Sequence, residues 1–237
     1  MPAVQGAGFQ TVVPWLRGFG PTSFLSSETM RSGEMVAMAQ DTLDLADALK
    51  LNTFAVVGHD WGARIAYVLA AVHPERTTRI CAMSVGWQPG ELPTPALEQV
   101  RKYWYQWFMA TDRGSEAVRR DRKALARIQW ETWAPREGEF EITAKSFENP
   151  DWPDITLHSY RVRWGEADKD PRYRDIDRRA KAAHDSGWRR WRYLGGYNRR
   201  KRETLRRWLP ATRAGRSWPF SNARSARRRE QAADRFP

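Results

Sequence analysis

The chain has 237 residues, one cysteine and a formal net charge of +12. That length suits one domain with an appendage, and a single thiol excludes a disulfide framework and points to a reducing, cytoplasmic setting. No run of 18 apolar residues occurs, which excludes a helical membrane span, and no basic segment leading into an apolar stretch suggests a signal peptide.

The charge is unevenly placed. Residues 178–237 hold 17 Arg and 2 Lys against Asp185, Glu203, Glu230 and Asp234, a net of +15 that leaves −3 on residues 1–177. The same segment has no Val, Ile or Met. It can bury little apolar area against the entropy of ordering its backbone, so a disordered tail is expected. Three readings of it stand. It is a nucleic-acid arm, with Arg on phosphates and Trp or Tyr on bases; a solvated low-complexity tail; or an out-of-frame translation.

In chain order, residues 9–15 predict a β-strand, and Leu16-Arg17-Gly18-Phe19-Gly20-Pro21 a loop. Residues 33–50 predict a helix with Val36, Ala39, Leu43 and Ala46 inward and Asp41, Asp44 and Asp47 in water. The all-apolar run 53–57 predicts a strand covered on both faces. A Gly-bounded turn at 58–62, a helix over 63–73 and a buried strand over 79–85 follow. Strand, helix, strand, helix, strand is the alternation of a parallel α/β sheet. Residues 96–135 predict mostly helix, rich in Trp and Tyr, and 141–163 one or two short helices around Pro150-Asp151-Trp152-Pro153. Three parts result: a partial α/β core over 1–87, a helical insertion over 88–177 and the Arg-rich tail over 178–237.

The chemistry lies in Gly58-His59-Asp60-Trp61-Gly62. An apolar strand precedes it and a helix follows, the context of a nucleophile elbow, G-x-Nuc-x-G. The glycines permit a turn too sharp for a Cβ, and the middle residue is held at the mouth of the helix, where N–H groups stabilise developing negative charge. A carboxylate there can attack an electrophilic carbon, open a ring or expel a halide, and leave an alkyl ester that water hydrolyses. The alternative is that Asp60 only caps the helix.

Residues 9–87 resemble the α/β-hydrolase superfamily, and Gly58-His59-Asp60-Trp61-Gly62-Ala63-Arg64 resembles its epoxide hydrolase and haloalkane dehalogenase branch. Leu16-Arg17-Gly18-Phe19-Gly20 is similar to the family's Arg-Gly-x-Gly loop, although Trp15 stands where the family usually has Asp. The resemblance implies Asp60 as nucleophile and the Trp61 N–H as an oxyanion donor, with the Trp61 side chain on the halide in a dehalogenase. It implies a helical cap at 88–175 that supplies two tyrosines to protonate an opening epoxide. Tyr105, in Tyr105-Gln106-Trp107-Phe108, matches the first, with Tyr103 its rival, and Tyr160, in Ser159-Tyr160-Arg161, matches the second. His59 is expected to be a structural neighbour of the nucleophile, and His73 and His158 carry no motif. The substrate implied is a small electrophile, an epoxide, halide or ester, with no cofactor and no metal.

Two family parts have no counterpart. The His-Gly-x-Pro oxyanion loop lies upstream of the Arg-Gly-x-Gly loop, where this chain has eight residues before its first predicted strand. The late Gly-His segment that supplies the base is also missing, since only His184 follows the cap. A frameshift near residue 182 accounts for both the tail's composition and the missing histidine. One permitted coding of residues 208–220, read one base later, gives an apolar strand followed by Gly-His-Gly. The chain as written is therefore expected to be inactive.

Overall fold

The computed structural model describes residues 2–87, 95–133 and 139–185. A one-turn helix α1 (Pro2–Gly6) opens the chain, and α2 (Met35–Ala48) is the first long element. Strand β1 (Phe54–His59), helix α3 (Trp61–Val72) and strand β2 (Thr77–Met83) form one strand–helix–strand unit of the α/β kind. The strands pair in parallel, with Val56 opposite Ile80 and Gly58 opposite Ala82. A parallel pair cannot be closed by a hairpin, and α3 is the crossover. Helix α3 is apolar nearly all round, as a helix enclosed by neighbours must be. Its Ile65, Val68, Leu69 and Val72 meet Val36, Met38, Ala39 and Leu43 of α2 in the main core, which Ile155 and Ala180 complete.

The second helical group is α4 (Leu97–Lys102), α5 (Trp104–Ala110), α6 (Asp112–Arg120), α7 (Arg122–Trp133), α8 (Phe140–Ala144) and α9 (Trp152–Arg163). Thr111 caps α6 by accepting the Gly114 N–H at 3.0 Å. Pro153 sits in the first turn of α9, where its missing N–H costs nothing. Met109, Val118, Trp152 and Leu157 form the core of this group. Helix α10 (Arg174–Asp185) then lies against α3, with Ala180 buried and Arg179 donating to the Val72 carbonyl at 2.7 Å. It thus crosses the expected boundary at 177. The rest of the expected tail, and with it the frameshift, lies outside the described residues.

Three expectations need correction. Residues 9–15 form no strand, and Phe9, Val12, Val13 and Trp15 are exposed. A strand needs a partner edge for its N–H and C=O groups, and the sheet described has only two strands. Strand β1 is not covered on both faces: Val57 is 71 % exposed, because the helices pack on one side of the pair. Asp41 does not simply face water. Arg17, 8 % exposed, donates to both its carboxylate oxygens at 2.5 Å, and also to the Ser32 and Ala37 carbonyls and the Tyr173 hydroxyl. Burial is the largest single influence and works against the charge on Arg17, but the Asp41 carboxylate and the Tyr173 hydroxyl together outweigh it and raise the guanidinium pKa.

This clamp fixes the loop that follows it. Gly18 has φ +72°, and a Cβ there would come within 2.7 Å of Ile155 Cγ1. The loop is tied down by Gly20 N–H to the Ser146 carbonyl at 3.1 Å and by Asn149 Nδ2 to the Gly20 and Thr22 carbonyls at 2.8 Å. Asp41→Asn should destabilise the fold by about 2 kcal/mol, less than a fully buried pair because the Asp41 side is partly solvated. Urea unfolding measures it, and an unchanged midpoint would show that the clamp contributes nothing.

Candidate active site

Strand β1 passes into α3 without a loop. That requires Gly58, since a Cβ there would lie 2.0 Å from the Gly62 carbonyl oxygen. Gly62 is different: a Cβ on it would meet nothing within 4 Å, so the steric demand expected of both glycines falls on the first alone. Asp60 takes the bend with φ 51° and ψ −108°, a positive φ that a residue with a side chain adopts only under constraint. Its N–H is held by the Met83 carbonyl at 3.1 Å, and its carbonyl accepts the Arg64 N–H at 3.1 Å. Its side chain makes no capping hydrogen bond to α3, which removes the support for a cap role.

Around Asp60 the structure brings together three of the aromatic residues singled out above. Trp61 packs on Phe19 of the clamped loop at 5.9 Å and on Tyr160 of α9 at 6.1 Å between ring centroids. Tyr105 of α5 stands edge-on to Tyr160 at 5.8 Å. The three rings form one contiguous cluster, and the Tyr105 hydroxyl accepts from Gln106 Nε2 at 3.5 Å. Tyr103 sits one step further out, 6.4 Å from Tyr105.

Burial raises the pKa of both Tyr160 and Tyr105, and each other's charge and that of Asp60 raise them further. Phenols so placed keep their protons at neutral pH and remain hydrogen-bond donors. The histidines are engaged elsewhere. His59 shares a 2.5 Å hydrogen bond with Ser84 Oγ at the end of β2, and His73 meets Glu75 at 3.3 Å. His158 accepts the Gly33 N–H at 3.0 Å and lies 3.1 Å from the Asp168 carbonyl, and His184 meets Asp185.

Sequence reasoning missed Phe19, which props Trp61 from a loop 42 positions upstream and carries no local signal. It also missed Arg163, which feels the charges of Tyr160, Asp60 and Tyr105. Its spacing of three from Tyr160 on one helix could have marked it.

The match to known proteins agrees with this geometry. Residues 1–193 fit the family model of the alpha/beta hydrolase fold. The chain belongs to the α/β-hydrolase fold family. It is 33 % identical over 85 residues to an epoxide hydrolase of Caballeronia sordidicola, which covers 36 % of this chain and 25 % of that one. It is 35 % identical over 86 residues to epoxide hydrolase B of Mycobacterium tuberculosis, covering 36 % of this chain and 23 % of that one. The crystal structure of a candidate epoxide hydrolase from Klebsiella pneumoniae superposes with a TM-score of 0.71 at 34 % identity, over 76 % of this chain and 62 % of that one. The matched region thus spans about a quarter of the curated relatives and less than two thirds of that structural neighbour. No helix among the described residues is long and apolar enough to cross a membrane.

Two outcomes follow. Gly58→Ala should abolish or severely weaken folding, whereas Gly62→Ala should change stability by no more than about 1 kcal/mol, since Ala is the better helix former; paired urea titrations check the contrast. The tyrosines fix a pH dependence as well. Their folded pKa values lie above the unfolded value near 10, so the fold keeps its full stability below about pH 10 and loses it as pH rises, by up to about 1.4 kcal/mol per pH unit for each tyrosine. Thermal melts from pH 9 to 11 should show this slope, and Tyr160→Phe should flatten it.

Proposed function

We propose that residues 2–185 form an epoxide hydrolase-type half-site in which Asp60 is the nucleophile and residues 88–177 act as the cap. One observation carries the reading: Asp60 is held in a strained bend at the start of α3, free of any capping bond, close to two half-buried phenols whose protons its charge helps to hold. In this reading a carboxylate oxygen of Asp60 attacks one epoxide carbon. A new C–O bond forms, the ring C–O bond breaks, and the ring oxygen takes a proton from Tyr160 or Tyr105. The products of the step are a β-hydroxyalkyl ester on Asp60 and one tyrosinate. The Trp61 N–H, at the positive end of α3, faces the charge that develops when that ester is later attacked.

Hydrolysis of the ester needs water activated by a base, and no histidine of this sequence is assigned that task. We therefore propose that the chain stops at the ester. The close alternative is a dehalogenase with the Trp61 indole N–H on the halide. The edge-on phenol pair of Tyr105 and Tyr160 favours the epoxide.

Incubation of the full chain with styrene oxide should add one epoxide mass to the protein, mapped by peptide mass spectrometry to Asp60. Asp60→Asn should abolish the adduct, and Tyr160→Phe should slow its formation by about 100-fold. A wild-type chain that never labels, or labelling that persists in Asp60→Asn, overturns the proposal. Labelling by a 1-haloalkane with stoichiometric halide release, and none by the epoxide, selects the dehalogenase reading instead.

A further inference from the structure

A second group of charged residues lies one helical turn beyond Asp60. Arg64 is the fourth residue on from Asp60 along α3, and Arg163 closes α9, three residues after Tyr160. Both line a cavity of about 240 Å³ whose walls come from the start of α2, from α3, from α9 and from α10. Two lysines and two carboxylates share that wall. Lys169 and Lys181 both hold Asp177, at 2.7 and 3.1 Å. Glu34 accepts from the Ser32 hydroxyl at 3.2 Å and from the Asp170 N–H at 2.7 Å. Four cations against two carboxylates leave two positive charges unbalanced.

Those two are Arg64 and Arg163. Among the described residues neither takes part in an ion pair, and the Arg163 Nε is buried without any hydrogen-bond partner. Burial, and next the charge of Arg64, lower the Arg163 pKa; Tyr160 and Asp60 oppose this only in part. Both side chains are half-buried, so the like charges repel across the cavity with less water between them than at the surface, and the buried Arg163 Nε–H has no acceptor to offset its lost hydration. A fold that keeps both arginines charged in this space is one organised around a missing negative charge.

We propose that Arg64 and Arg163 form a binding site for a small oxyanion, a carboxylate or a phosphate group, in the cavity between α2, α3, α9 and α10. Two guanidinium forks facing one cavity suit an acceptor with two or three oxygens. The volume admits such a group with a few waters and is below the roughly 300–1,000 Å³ of pockets for drug-sized ligands. The site stands on its own residues and does not depend on Asp60 being a nucleophile.

The test uses the full chain, titrated with inorganic phosphate and in parallel with acetate, each against sodium chloride at matched ionic strength, by calorimetry and thermal unfolding. One oxyanion should bind saturably with one-to-one stoichiometry and raise Tm with concentration. Tighter phosphate binding identifies a phosphate-bearing ligand, and tighter acetate binding a carboxylate. Arg163→Met and Arg64→Met should each weaken that binding at least tenfold while raising Tm in chloride alone, because each removes half of the repelling pair. If one variant does not fold, the other decides. Asp60→Asn should retain binding, which separates this result from the fate of the nucleophile. A response no greater than that to chloride, or one unchanged in both arginine variants, overturns the proposal.

Discussion

The approach of the Gly58 backbone to the Gly62 carbonyl is the constraint on which the rest depends. With hydrogen alone on the Gly58 Cα, β1 can turn into α3 within a single residue. Everything of chemical interest is then placed by the helix. Asp60 takes the strained bend, Trp61 leaves the first turn toward α9, and Arg64 follows one turn later toward the cavity. A longer connection would relieve the strain at Asp60 but would lose the common origin of these three positions. Local strain of this kind persists only where its surroundings over-determine it. Here the Met83 carbonyl holds the Asp60 N–H from the neighbouring strand, while the helix holds its carbonyl.

The two helical groups meet the bend through aromatic rings rather than through aliphatic packing. Phe19 stands edge-on to both Trp61 and Trp152, so the clamped loop touches the start of α3 and the start of α9 together. Arg17 is the anchor of that loop, and its partners come from three separate stretches of chain. Edge-to-face rings tolerate little sliding, which makes them better than aliphatic side chains at fixing the height of Tyr160 and Tyr105 above the bend.

What the sequence disclosed follows the range of the interactions involved. The β1–α3–β2 unit was legible because its signals are local: an apolar run, a Gly-bounded turn and a 3.6-residue period. The helices between 97 and 163 were legible for the same reason. Tyr105 and Tyr160 were found by resemblance, and periodicity alone could not have separated them from the other aromatic residues. The strand expected at 9–15 failed because β-propensity describes fitness for a half-buried, paired surface, and no described strand lies beside Phe9, Val12 and Val13. Asp41 was read as solvated because its partner, Arg17, lies 24 positions away. The unbalanced charges of Arg64 and Arg163 come from helices a hundred residues apart in sequence, and only the fold brings them together.

The open face of the β1–β2 pair governs how the molecule behaves in company. Val57 stands in water on a strand whose second edge has no partner among the described residues, and Val12, Val13 and Trp15 add further exposed apolar surface. An unpaired edge beside bare valine is a template for another chain's backbone. Among the described residues, then, it is backbone hydrogen-bonding capacity, and not charge, that marks the most adhesive part of the surface.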